Sequence, residues 1–324
     1  MSFWENTRIK ITAFLKAALG LLFFICVDCL VYYIFAFFRV DSDIYTGTVN
    51  FTACAAVIVT MLIINKVCSS KEKKLIVAGK LSPVQVIFLI VVAFGMLGLV
   101  TMYIAVADKI AEYFDSLNED MEAYRESVDR FSDTPQAVIP VWDSLLYVFN
   151  LCFIVPVAEE LTFRGVIYGQ LRRGFGPWFS VILSAVAFGI MHGINIHIGY
   201  ALICGFIIAA CYYLTDSLIA SILIHMIFNI FGSGVATFMS IEYFGIPREF
   251  TSECMVLVNM ISLLAMPLAV IAFAGLLSIK RKKVKEAKVA QEMVITETAQ
   301  DNIEDGIVTE SVQASCDDGN GAES

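Results

Sequence analysis

The sequence predicts an all-α fold, a polytopic bundle of about eight transmembrane helices with its chemistry in the second half. Three observations predict it. Of 324 residues, 58% are apolar or aromatic and only 16% are charged, against roughly 45–50% and about 25% in soluble globular domains. Apolar runs recur along the chain, most of them near the roughly 20 residues that a spanning helix needs. The charges gather between those runs. The abundance of Phe, Leu, Ile and Val excludes a wholly disordered chain. A net charge of −9 excludes a basic nucleic-acid binder, so the lipid bilayer is the expected environment and no nucleic acid is an expected partner.

Eight stretches read as spans, near 11–38, 50–65, 84–107, 142–158, 177–192, 197–214, 217–239 and 255–279. The first is too long for the roughly 7–15-residue core of a signal peptide and reads as a retained anchor. Orientation follows from Lys and Arg in the short loops. Lys66, Lys71, Lys73, Lys74 and Lys80 mark one connection, Arg164, Arg172 and Arg173 the next, and KRKKVKEAK at 280–288 the end of the last span. These face the cytoplasm. The loop at 108–141 carries nine acidic residues against Lys109, Arg125 and Arg130 and faces outward. Eight spans with both termini cytoplasmic satisfy all of this, and a bacterial plasma membrane is the expected location.

The domain plan is N-terminal spans over 1–139, a core over 140–240, a last span over 241–279 and a tail over 280–324. The tail is first basic, then acidic. Residues 289–324 hold nine acidic residues and no Lys or Arg, which reads as a solvated, disordered segment. In the outer loop Ile110, Tyr113, Phe114 and Leu117 fall at helical spacing and predict a partly amphipathic helix. Cys26 and Cys29, three apart on one helix, read as packing residues. Pro267 predicts a kink in the last span. Gly165 and Gly169 form a GxxxG that lets another helix approach, and Asp216 is placed to cap the seventh span.

Charged residues inside spans are costly and mark candidate sites. The first three spans offer only Lys16, which can snorkel, and the deeper Asp28. The second half is richer. Glu159 and Glu160 follow an apolar run, with Arg164 one turn beyond Glu160. Phe188 and His192 are four apart, as are His225 and Asn229. A carboxylate and an imidazole around one water can act as general base and partner. A His and an Asn one turn apart can present donors to an oxyanion. Alternatively Glu159, His192 and His225 form the ligand set of a divalent metal such as zinc, with one position open. Cofactor use is thus either none or one such metal. Either chemistry is attack of water on a carbonyl. Taken singly, each residue also fits ordinary helix–helix hydrogen bonding, at about 0.6 kcal/mol per contact.

Taken together, the three motifs resemble those of the CPBP intramembrane proteases (CAAX prenyl protease and bacteriocin-processing proteins, or Abi family): E-E-x-x-x-R as Glu159-Glu160-Leu-Thr-Phe-Arg164, F-x-x-x-H as Phe188-Gly-Ile-Met-His192, and H-x-x-x-N as His225-Met-Ile-Phe-Asn229. The resemblance covers roughly residues 140–235, under a third of the chain. It implies an endopeptidase whose site lies inside an all-α membrane core open to the cytoplasm. By that resemblance Glu159 and His192 activate water, His225 and Asn229 hold the oxyanion, Glu160 pairs with Arg164, and Phe188 packs against the site. The implied partner is a membrane-associated peptide or protein substrate. The implied roles are peptide or bacteriocin maturation, self-immunity or CAAX-like processing. Two other readings compete: a non-enzymatic scaffold or immunity protein that uses the motifs only for packing, and a proton-coupled carrier that uses the buried Glu and His as a relay.

Overall fold

The computed structural model describes residues 3–70, 74–133, 139–193 and 196–317, with the side chains of 126–133 and 295–317 excepted. Lys71 and Lys73 therefore lie outside the described residues, as do 318–324. Nine helices carry the described chain: α1 Phe3–Phe37, α2 Thr46–Cys68, α3 Pro83–Ala111, α4 Asp115–Asp133, α5 Val141–Leu171, α6 Pro177–Ile190, α7 Ile196–Thr215, α8 Leu218–Met239 and α9 Arg248–Asp317. Among the described residues the sole strand-like pairing is an isolated bridge, Ala78 to Ser217. The protein is a polytopic all-α membrane protein.

Seven of these helices are long and apolar enough to cross a membrane, where eight spans were expected. The exception is α6, with 14 residues. It rises about 21 Å at 1.5 Å per residue, short of the roughly 30 Å hydrocarbon layer. It stops because the chain turns at Met191–Gly193, where Gly193 takes a left-handed φ of 94° that a side chain would resist. The consequence is functional: His192 sits on a turn that begins part-way along the bundle.

The core is built around α5. Every residue from Glu160 to Leu171 is buried, enclosed by α1, α2, α6 and α8. Two π-helical turns interrupt α5, at Asn150–Ile154 and Leu161–Ile167. The first has a cause in the sequence. Pro156 has no N–H and its ring crowds the carbonyl one turn back, so the helix widens ahead of it and Val155 N–H donates to Asn150 O. Pi turns of this kind recur at functional sites.

At the start of α5, Asp143 does something that sequence reasoning missed. Its buried carboxylate accepts from Gly47 N at 2.7 Å, Thr48 N at 2.9 Å and Thr48 Oγ1 at 2.6 Å. It thus caps the N-terminus of α2 from 96 residues away. Gly47 is required there, since a Cβ would lie 2.2 Å from the Asp143 carbonyl oxygen. Asp143→Ala orphans three donors and should destabilise the protein by about 2–4 kcal/mol. Thermal unfolding in detergent measures this, and an unchanged melting temperature would refute the cap.

The connection after α2 also enters the core. Leu75 is 1% exposed. Val77 O accepts from Leu218 N at 2.9 Å, Gly79 N donates to Asp216 O at 2.8 Å, and Ser217 Oγ donates to Gly79 O at 2.7 Å. This corrects two expectations. The small faces of Gly165 and Gly169 admit Ile76 and Leu75 of this strap rather than another helix. The N-terminus of α8 is met by the strap's Val77 carbonyl-to-Leu218 bond, and the residue before the helix is Ser217, not Asp216. Asp216 instead takes a positive φ of 50° at the turn.

Three further expectations change. The apolar stripe at 110–117 straddles the break between α3 and α4, leaving Tyr113 and Phe114 exposed. The face of α4 that packs is Met121, with Leu117 and Tyr124, against Ala107, Ala111 and Ile196. Cys26 and Cys29 are exposed on α1, not packed. The chain also divides at Leu276 into two compact units. The second begins at Leu277 and is helical to Asp317, where a disordered tail was expected. Its first half is rich in Lys, Glu and Ala, good helix formers, with an exposed Lys282–Glu286 pair at 3.9 Å one turn apart.

Candidate active site

Adjacent residues on a helix point roughly 100° apart, and Glu159 and Glu160 divide accordingly. The Glu160 side chain is fully buried, while that of Glu159 is 18% exposed. Glu160 Oε1 accepts from Arg164 Nη1 at 2.9 Å and pairs with His225 Nδ1 at 2.8 Å. Arg164 is itself fully buried, so it is no part of a cytoplasmic loop and drops out of the orientation argument. Its Nη2 donates to Gly205 O at 3.0 Å, and its guanidinium lies 4.5 Å from the centre of the Phe188 ring. A buried cation is tolerable only with such partners.

With Glu160 ionised, the shared hydrogen sits on His225 Nδ1 and the imidazole donates it. His225 Nε2 then faces Glu159 Oε2 at 3.7 Å. That is beyond direct hydrogen-bond range and within the reach of one water bridging both. His192 has its own orienter: its Nδ1 lies 2.9 Å from Phe188 O. A carbonyl only accepts, so Nδ1 carries the hydrogen and Nε2 keeps a free lone pair. Phe188 is the common wall. Its ring centre is 4.4 Å from His192, 5.9 Å from His225 and 5.1 Å from Phe163.

Asn229 is placed by the π turn of α5. In the π register the partner of the Leu151 carbonyl is residue 156, a proline without N–H. Asn229 Nδ2 supplies that hydrogen bond at 2.9 Å. A third π turn, Ile230–Gly234 in α8, follows Asn229 and packs on the one at Asn150–Ile154, where a Cβ added at Gly234 would lie 2.3 Å from Cys152 Sγ. So the expected oxyanion donors are already engaged: His225 Nδ1 by Glu160 and one N–H of Asn229 by Leu151 O. What remains to face a substrate oxygen is His225 Nε2 and the second N–H of Asn229.

The residues do not fit a metal. Among the described residues no three His, Cys, Asp or Glu side chains gather closely enough to hold an ion, so Glu159, His192 and His225 are not brought together as a ligand set. The third histidine, His197, stacks on Tyr124 and Tyr200, 4.9 and 5.6 Å away. Sequence reasoning also passed over Asn150. It is 1% exposed, and its Oδ1 has no hydrogen-bond partner among the described residues. Its position six residues before Pro156, at the first residue of the π turn, is the signal that could have found it.

Residues 141–231 match the family described as "Type II CAAX prenyl endopeptidase Rce1-like". A Bacillus subtilis (strain 168) protein named "Putative membrane peptidase YdiL" is 29% identical over 123 residues, 38% of this chain. The match spans about half the length of that relative. No solved structure matches the chain. Over residues 141–231, the stretch that carries all three motifs in order, this multi-pass membrane protein is similar to the Rce1-like CAAX prenyl endopeptidases.

Proposed function

We propose that the chain is an intramembrane endopeptidase that hydrolyses a peptide bond of a membrane-embedded or membrane-anchored peptide or protein. One observation carries this reading: of two adjacent carboxylates, one is locked in a buried triad and the other is left open. Glu160 is spent on Arg164 and His225. Glu159, partly exposed, faces the nitrogen of a histidine that Glu160 has oriented. That is the division between a positioning group and a general base.

In this mechanism Glu159 takes a proton from water as the oxygen attacks the scissile carbonyl carbon. His192, with Nε2 free, holds the same water. The free N–H of Asn229 donates to the developing oxyanion, and His225 joins it through Nε2–H in the doubly protonated form of the ring, with Nδ1–H still held by Glu160. The proton held by Glu159 passes to the leaving amine as the C–N bond breaks. We further propose that both chain ends face the cytoplasm, supported by Lys66, Lys74, Lys80, Arg172, Arg173 and the basic run from Lys280. A bacterial plasma membrane and a role in peptide or bacteriocin maturation, self-immunity or CAAX-like processing are the settings we favour.

The test compares membranes that express the wild type with membranes that express Glu159→Gln, using mass spectrometry of released and retained peptides. A peptide released only by the wild type is the expected result and names the substrate. Identical peptide sets from two folded, inserted proteins would favour the non-enzymatic scaffold.

A further inference from the structure

A peptide bond inside a helix is a poor target, because its carbonyl and the amides around it are hydrogen-bonded within the helix. Unwinding a substrate beside the site strips those groups of their partners, which is costly in hydrocarbon. An extended strand near the site supplies new ones, and the strap after α2 contains such a strand. Ala78 pairs with Ser217 in an antiparallel bridge. On either side of it Leu218 N donates to Val77 O at 2.9 Å and Gly79 N donates to Asp216 O at 2.8 Å. This is the non-hydrogen-bonded type of pair, in which the residue's own N–H and C=O point away from the partner segment. The neighbouring residues agree: Val77 N donates to Tyr212 Oη at 3.1 Å, and Gly79 O accepts from Ser217 Oγ at 2.7 Å. All four backbone groups of Val77 and Gly79 are thus spent toward α7, α8 and the turn between them, and both groups of Ala78 face the opposite edge. Ala78 is exposed, and neither group has a partner among the described residues. Such an edge is a template for another strand. It also lies close to the site. Ile76 sits on Gly165, next to Arg164 of the triad, with its Cγ1 3.1 Å from the place of a Cβ there. Leu218 precedes His225 by about 10 Å of helix at 1.5 Å per residue, a distance that about three residues of extended chain span at roughly 3.3 Å each. Lys74 and Lys80 flank Ala78 in the strap, and both are exposed.

We propose that the outward edge of Ala78 is a docking strand for the substrate. An extended, acidic segment of the substrate, starting about three residues from the cleaved bond, adds to the strap through main-chain hydrogen bonds. Ala78 N–H donates to a substrate carbonyl, and Ala78 C=O accepts from a substrate amide. Lys74 and Lys80 select acidic side chains in that segment. The assignment rests on the peptidase reading, but docking does not require turnover.

The probe is a fluorescent, end-blocked synthetic peptide of alternating Glu and Val, titrated by anisotropy into full-length Glu159→Gln protein in uncharged phosphatidylcholine bilayers. It should bind, and the same peptide with Lys in place of Glu should not. Ala78→Pro removes the outward donor and leaves the bonds of Val77 and Gly79 in place, so it should weaken binding about tenfold, the scale of one hydrogen bond, at an unchanged melting temperature. Lys74→Glu with Lys80→Glu should reverse the preference between the two peptides. No binding of the acidic peptide, equal binding of both, or wild-type binding by Ala78→Pro would overturn the proposal. So would a dimer of the free protein that Ala78→Pro dissolves, since a second copy would then occupy the edge. If the proline variant fails to fold, amide hydrogen exchange decides: the Ala78 amide must exchange faster than that of Gly79 in the free protein and slow when the peptide binds. On the peptide found by the membrane comparison, Ala78→Pro should raise KM about tenfold with kcat held, the mark of lost uniform binding. If the probe docks at the edge and no membrane peptide is cleaved, the peptidase reading fails while the docking strand stands.

Discussion

Glu159→Gln should lower kcat by about 10²–10⁴-fold, the usual contribution of a positioned general base, with the melting temperature unchanged. The amide keeps the size of the carboxylate and removes its basicity. Stability should hold because Glu159 is not one of the fully buried triad groups and approaches the triad only to 3.7 Å, at His225 Nε2. KM should change little, since the loss falls on the transition state. The measurement is single-turnover and steady-state cleavage by reconstituted protein, on the peptide found by the membrane comparison. Wild-type turnover in this variant would remove Glu159 from the chemistry.

Arg164→Met should cost about 3–5 kcal/mol of stability, the range for removing one member of a buried ion pair. It leaves the Glu160 carboxylate at 0% exposure with His225 as its remaining partner, and its Oε2 already has none among the described residues. Arg164→Lys should rescue little. The bond to Gly205 O and the stacking over Phe188 both need a planar, forked guanidinium. The double variant Glu160→Leu, Arg164→Met should recover much of the stability, because it replaces two desolvated charges with apolar volume. It should still not cleave, since His225 Nδ1 loses the acceptor that orients it. Thermal unfolding in detergent separates these outcomes. A double variant no more stable than Arg164→Met would contradict the triad as described.

Residues of the candidate site were readable because their chemistry is out of place. A carboxylate pair, an arginine and two histidines stand out in apolar runs, and their four-residue spacings put each pair on one helix face. Their roles were not readable. Nothing in the adjacency of Glu159 and Glu160 says which of them is buried. That follows from the direction of α5 relative to α7 and α8, which brings the Gly205 carbonyl to Arg164 and His225 to Glu160. Asn229 shows the same limit. Its spacing from His225 suggested a donor pair, while its amide is partly committed to a carbonyl that Pro156 leaves without a partner, 78 residues away in sequence.

By itself the sequence determined the all-α membrane fold, nearly all of the helices and the identity of the polar residues, because these depend on local quantities: the length of an apolar run, the periodicity of a helix and the cost of a charge in hydrocarbon. Tertiary structure alone decided that Asp143 caps α2, that Leu75 and Ile76 rather than a helix fill the Gly165–Gly169 face, that α6 stops short and that Asn150 is buried with no partner for its Oδ1 among the described residues. Each of these is a hydrogen bond or a close approach between segments far apart in the chain. Such partners are selected by which buried groups remain unsatisfied once the helices have packed.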